Sequence, residues 1–92
     1  DLIRMRFRRS HQLDHEEAKR RADEIADDLC KQFRLTSTWQ GDYLLVSGNG
    51  VNGHLHVAEE NIEIEIRLGL ALKLMEGPIR RVIEKEIDQH LV

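Results

Sequence analysis

Histidine is the residue type here best suited to metal binding, and two pairs have chelating spacings. His11 and His15 are four apart. Four is a helical spacing, but His11 precedes Asp14, the residue that opens the capping-box pattern, so the two do not share a helical register. His54 and His56 are two apart in an alternating segment, which puts both on one face of a strand. A zinc or copper site needs three or four ligands and an outer shell. Neither pair has a cysteine or carboxylate pattern that completes one. Solvated surface histidines are the simpler account, and no metal or other cofactor is expected.

Basic pairs raise a different chemistry. Arg8-Arg9, Arg20-Arg21 and Arg80-Arg81, with the alternating row Arg4, Arg6 and Arg8, could contact phosphates. Acid is interleaved with them: Asp23, Glu24, Asp27 and Asp28 follow Arg20-Arg21 directly. The stacking candidates Phe7, Phe33, Trp39 and Tyr43 form no nucleic-acid motif. A salt-bridged, solvated face is the expectation, without nucleic acid as partner. Catalysis has less support. Ser10, Ser37 and Ser47 lie in no nucleophile elbow, and Cys30 falls on a packing helix rather than in a poised position. The run Gly48-Asn49-Gly50-Val51-Asn52-Gly53 joins two strands and opens no helix, so it lacks the dipole of a phosphate loop. It reads as a hairpin, and the chain reads as no enzyme.

Positioning these residues requires a sheet and two helices. Leu2 to Arg9 alternates, with Ile3, Met5 and Phe7 on one side and Arg4, Arg6 and Arg8 on the other. Asp14 followed by Glu17 is a capping-box-like start with Leu13 before the cap. From His15 to about Arg34, Ala18, Ala22, Ile25, Ala26, Leu29 and Phe33 recur at helical spacing without glycine or proline. Thr36 to Gln40 and Tyr43 to Ser47 read as strands around a Gly41-Asp42 turn. Tyr43-Leu44-Leu45-Val46 is continuously apolar, so period alone does not choose its inner face. His54 to Val57 alternates again, and short connections favour an antiparallel meander.

The stretch from Asn61 to Val92 organises the rest. Ile62, Ile64, Ile66 and Leu68 share one strand face, and Glu63, Glu65 and Arg67 share the other. If this strand neighbours the first, Arg–Glu pairs form across them. After a break at Gly77-Pro78, Ile79, Val82, Ile83, Ile87 and Leu91 form a helical stripe. Arg80, Arg81, Glu84, Lys85, Glu86 and Asp88 form its mixed polar face. Between strand and helix lies the most apolar run, Leu70-Ala71-Leu72-Lys73-Leu74-Met75. The alternation continues numerically through Leu70, Leu72 and Leu74, but a break at Gly69 is preferred, because thirteen residues is long for a strand in a small domain. The ordinary reading of the run is core. Its functional reading is an interaction surface made of Leu70, Leu72, Lys73, Leu74 and Met75. Lys73 must reach solvent or a partner, which favours an edge location.

Bulk numbers bound the choices. Ninety-two residues make one domain, 1–92, and a chain of this size buries only about 60–65% of its unfolded surface. Charged residues are 34% and the net charge is −3, which argues against a general polyanion binder. The lone Cys30 makes no internal disulfide and suggests a reducing cytosol. No apolar run approaches the ~20 residues of a membrane span, and no secretory signal is visible. The chain opens at Asp1 rather than methionine, from which a few missing or processed leading residues are expected.

The order of these pieces resembles the putative polyhydroxyalkanoic acid system family, small bacterial proteins associated with polyester storage granule genes. The resemblance covers nearly the whole chain. It is carried by an opening strand followed by His11-x-Leu13, then Glu17-Ala18 starting the long helix. It continues in Trp39-x-Gly41-Asp42 and Gly50-Val51-x-Gly53, then in Leu68-Gly69 leading to Gly77-Pro78-Ile79 and a closing amphipathic helix. Val46 stands where an aromatic is expected, and Asn52 where an acidic residue is usual. The family supplies no catalytic residue to carry over. It implies a cytoplasmic protein of polyhydroxyalkanoate synthesis, granule association or regulation, with the granule surface or granule-associated proteins as partners.

The expected fold is therefore α+β: a mostly antiparallel sheet in the order β-α-β-β-β-β-α, with a long N-terminal helix and a C-terminal helix packed on one face. The expected function is a non-enzymatic binding or structural protein of the storage-polyester system, cytoplasmic and at the granules, with a second copy of the chain as a further candidate partner. Two alternatives stay open. One is a self-associating adaptor or regulator unrelated to polyester. The other is a small carrier holding an apolar ligand between sheet and helices, which requires a cavity.

Overall fold

The computed structural model describes residues 2–91, at Leu2 the backbone only; Asp1 and Val92, the last position of the closing stretch, lie outside the described residues. Strand β1 spans Leu2–Ser10, helix α1 His15–Phe33, β2 Thr36–Gln40, β3 Tyr43–Gly48, β4 Val51–Val57 and β5 Asn61–Gly69. A 3-10 segment covers Leu70–Met75, and helix α2 runs over Glu76–His90. The strands form one antiparallel sheet in the order β1-β5-β4-β3-β2, and the fold is the expected α+β arrangement.

Local chemistry sets the boundaries of α1. The Asp14 side chain accepts the Glu17 N–H at 2.8 Å, satisfying one of the first-turn donors. At the other end Arg34 adopts the left-handed conformation, φ 57°, and turns the chain toward β2. Asn49 of the β3–β4 turn then donates its side-chain amide to the Phe33 and Arg34 carbonyls at 3.2 and 3.1 Å, which ties that turn to the helix end. Asn49 and Gly50 both have positive φ, so Asn-Gly forms the tight hairpin turn read from the sequence.

First and last strands are neighbours, with Arg6 opposite Glu65 and Arg8 opposite Glu63. The inner face of β3 belongs to Leu44 and Val46. Both helices lie on the inner side. α1 crosses β2, β3 and β4, while α2 meets β1, and the two helices touch each other. Ala18, Ala22 and Ala26 are fully buried, so α1 sits close to the strands.

Two expectations need correction. Gly77-Pro78 is no break: α2 starts at Glu76 and holds both residues in its first turn. Proline is tolerated there because amides of the first turn lack an intrahelical partner anyway. Glu86, read as part of a polar face, is 6% exposed because it faces α1 rather than water. The space left between sheet and helices, lined by Leu29, Val46, Ile66 and Ile83 among others, is about 10 Å³. That is room for one water at most, so among the described residues the sandwich holds no cavity for a carried apolar ligand.

Candidate functional site: an exposed leucine ridge

The strand ends at Gly69 as the break predicts. Gly69 N–H donates to the Gly50 carbonyl at 3.0 Å, and the chain then tightens into the 3-10 segment. Six residues at ~2 Å rise make a ridge about 12 Å long. Leu72 turns inward, half-buried against the core, and lies over Gly50. The others turn out. Leu70 is 58% exposed, Leu74 93% and Met75 47%, with Ala71 and Lys73 exposed beside them. The core reading of this run fails for every member but Leu72. A 3-10 segment at the end of a central strand has only one side against the molecule, and Leu72 occupies it. Of the five residues singled out from the sequence, four are therefore gathered on one protruding segment, and the fifth anchors it.

The open face of the sheet carries the other candidates, already engaged with each other. Arg6 Nε donates to Glu65 at 2.9 Å and Arg67 to the same carboxylate at 2.6 Å. Burial pushes the Glu65 carboxyl up, but these two guanidinium bonds outweigh it and hold it below its usual range. His56 stacks on Tyr43 with ring centroids 4.3 Å apart and lies 3.6 Å from Glu63. Arg6, Arg8, His54, Glu63 and Glu65 line a shallow trough of about 310 Å³. Its two signs of charge make it neither a phosphate cradle nor a cation bowl. Glu17 takes Arg20 and Arg21, whose hydrogen bonds hold its carboxyl low, and Arg80 reaches Glu76 and the Phe7 ring.

Other candidates are dispersed. His11 is buried. Its Nδ1 accepts the Leu13 N–H at 3.2 Å, so Nε2 carries the proton and donates to the Ala58 carbonyl at 3.1 Å. His15 bonds Asp42 at 2.7 Å. Cys30 is half-buried, and burial pushes its thiol up, away from the thiolate form a nucleophile needs.

One grouping escaped the sequence. Asp28 of α1 meets Glu86 and His90 of α2, with one ligand atom from each lying within 4.8 Å of the others. His90 Nε2 is 3.1 Å from Asp28 Oδ2 and 3.4 Å from Glu86 Oε1, and His90 Nδ1 is 3.7 Å from Glu24. Burial, then Asp28, pushes the Glu86 carboxyl up, whereas bonds to Glu86 and His90 hold Asp28 down. The available signal was two pairs at spacing four, Glu24 with Asp28 and Glu86 with His90. Weighing histidines only against other histidines passes over it. No helix among the described residues is long and apolar enough to cross a membrane. No curated protein and no solved structure matches the chain. A family model described as "Putative polyhydroxyalkanoic acid system protein" matches residues 5–91.

Proposed function

The chain belongs to the putative polyhydroxyalkanoic acid system family, and from that membership we propose a contact protein of the storage-polyester system, without catalytic chemistry, that docks on cytoplasmic granules. The observation that carries the reading is the ridge, above all Leu74 at 93% exposure. An exposed leucine gains ~1.5–3 kcal/mol on full burial, so Leu70, Leu74 and Met75 together favour an apolar surface by several kcal/mol. Lys73 among them keeps its ammonium at the water boundary while its stem lies on the surface. The ridge is two 3-10 turns long. A stable protein–protein interface takes ~800 Å² from each partner, which six residues do not supply. Insertion into a soft apolar phase makes no such demand, and this favours polyester over a second folded protein.

Co-sedimentation with polyhydroxybutyrate granules or polyester beads tests the reading. The wild-type chain is expected to pellet with them, and Leu70→Asp/Leu74→Asp to remain in the supernatant with an unchanged melting curve. Equal pelleting of both would defeat it. A chain that dimerises through the ridge, by light scattering, and ignores polyester would replace the granule with a second copy of this protein.

A further inference from the structure

We propose that Asp28, Glu86 and His90 bind one divalent transition-metal ion of the zinc type, with Glu24 as the outer carboxylate that orients the imidazole. The donor set is one nitrogen and two carboxylate oxygens, which suits a borderline ion and leaves a fourth position for water. A tetrahedron with bonds of about 2.0–2.1 Å has edges of about 3.3–3.4 Å. The two spacings from His90 Nε2, 3.1 Å to Asp28 and 3.4 Å to Glu86, are close to such edges. Glu24 stands 3.7 Å from the other ring nitrogen, beyond hydrogen-bond length but on the side from which a carboxylate fixes the tautomer of a zinc-bound histidine.

A second observation points to a ligand independently of the clustering. Glu86 is more than nine-tenths buried, and its Oε1 is a buried oxygen without a hydrogen-bond donor among the described residues. The nearby His90 Nε2 lies 3.1 Å from Asp28 Oδ2 and 3.4 Å from this oxygen, and one ring nitrogen does not serve both. Leaving a carboxylate oxygen unpaired in such a place is costly, and a cation between the three residues removes that cost. Access is open, because Asp28 and Glu24 are about four-tenths exposed at the rim. Both helices supply ligands, so the ion would fasten the last turn of α2 to α1. Binding needs Nε2 and the two carboxylates free of protons, so any proton they carry leaves those atoms as the ion enters.

The test uses the untagged full chain, titrated with Co²⁺ and Zn²⁺. Expected are one ion per chain, visible Co²⁺ absorption of tetrahedral strength, and an unfolding midpoint raised by more than about 5 °C at saturating Zn²⁺. Glu86→Gln and His90→Ala should abolish the absorption. Glu24→Gln should weaken binding about 10–100-fold. His54→Ala/His56→Ala should change nothing. Asp28→Asn, at the exposed rim, serves if either core variant fails to fold. A wild-type chain that takes up no ion overturns the proposal, as does an ion lost with His54 and His56 but kept in His90→Ala. Either result leaves the three residues as a polar clasp between the helices.

Discussion

His11 shows how much of a histidine's role depends on residues far from it in sequence. Paired with His15 on the page, it looks like half a chelate; in the fold it closes the β1–α1 connection against Ala58, forty-seven residues away. His11→Ala strips the Leu13 N–H and the Ala58 carbonyl of their partner in a buried setting. A loss of about 1–3 kcal/mol is expected in urea denaturation, with no effect on granule binding. Glu65 carries a pH signature. Its carboxyl sits below the usual value when folded, so the stability it contributes is present above the unfolded pKa and is lost as pH falls through the folded one. Glu17 and Asp42 are held low as well, by arginine bonds and by His15 respectively, and act in the same direction. Melting temperature is therefore expected to fall as pH drops below about 4.5, and Glu65→Gln to flatten that decline. Row membership on the open face was legible from alternation. Which carboxylate each arginine chose was not: Arg4 faces Arg67, so Arg67 turns to Glu65 on its own strand.

Among elements, β5 was the most legible, because a strict two-residue period has one interpretation when the segment also ends in glycine. β3 was not, since four apolar residues in a row satisfy either face; Leu44 and Val46 go inward only because β4 and α1 are already placed. The Leu70–Met75 turn fits strand and helix periods alike, and its exposure is decided by how many sides the fold leaves open. The Glu86 reading failed for the same reason: a helical wheel does not reveal that a second helix lies against the nominally polar side. Two predictions belong here. Asp14→Ala removes the cap of α1 and should cost about 1 kcal/mol by chemical denaturation. Gly53→Ala places a Cβ 2.3 Å from the Glu65 carbonyl and 2.9 Å from Ile66 Cδ1, so β4 and β5 must separate locally. A cost of about 3 kcal/mol is expected, against ~1 kcal/mol for Gly41→Ala, where only the positive φ opposes the change. Thermal melts of the two variants side by side check the ordering.

For the molecule as a whole, the sheet order β1-β5-β4-β3-β2 separates the first two strands by the full width of the sheet, with α1 carrying the chain across. β1 has its ladder partner in β5, and the pair Arg6–Glu65 spans fifty-nine residues. Among the strands of this sheet, β1 leaves the ribosome first and is thus among the last to be matched. At about 5–20 residues per second, the growing chain carries Ile3, Met5 and Phe7 uncovered for on the order of 3–12 s before β5 has even been made. Alternating arginines in that strand keep the waiting segment charged and discourage it from pairing with a neighbouring nascent chain.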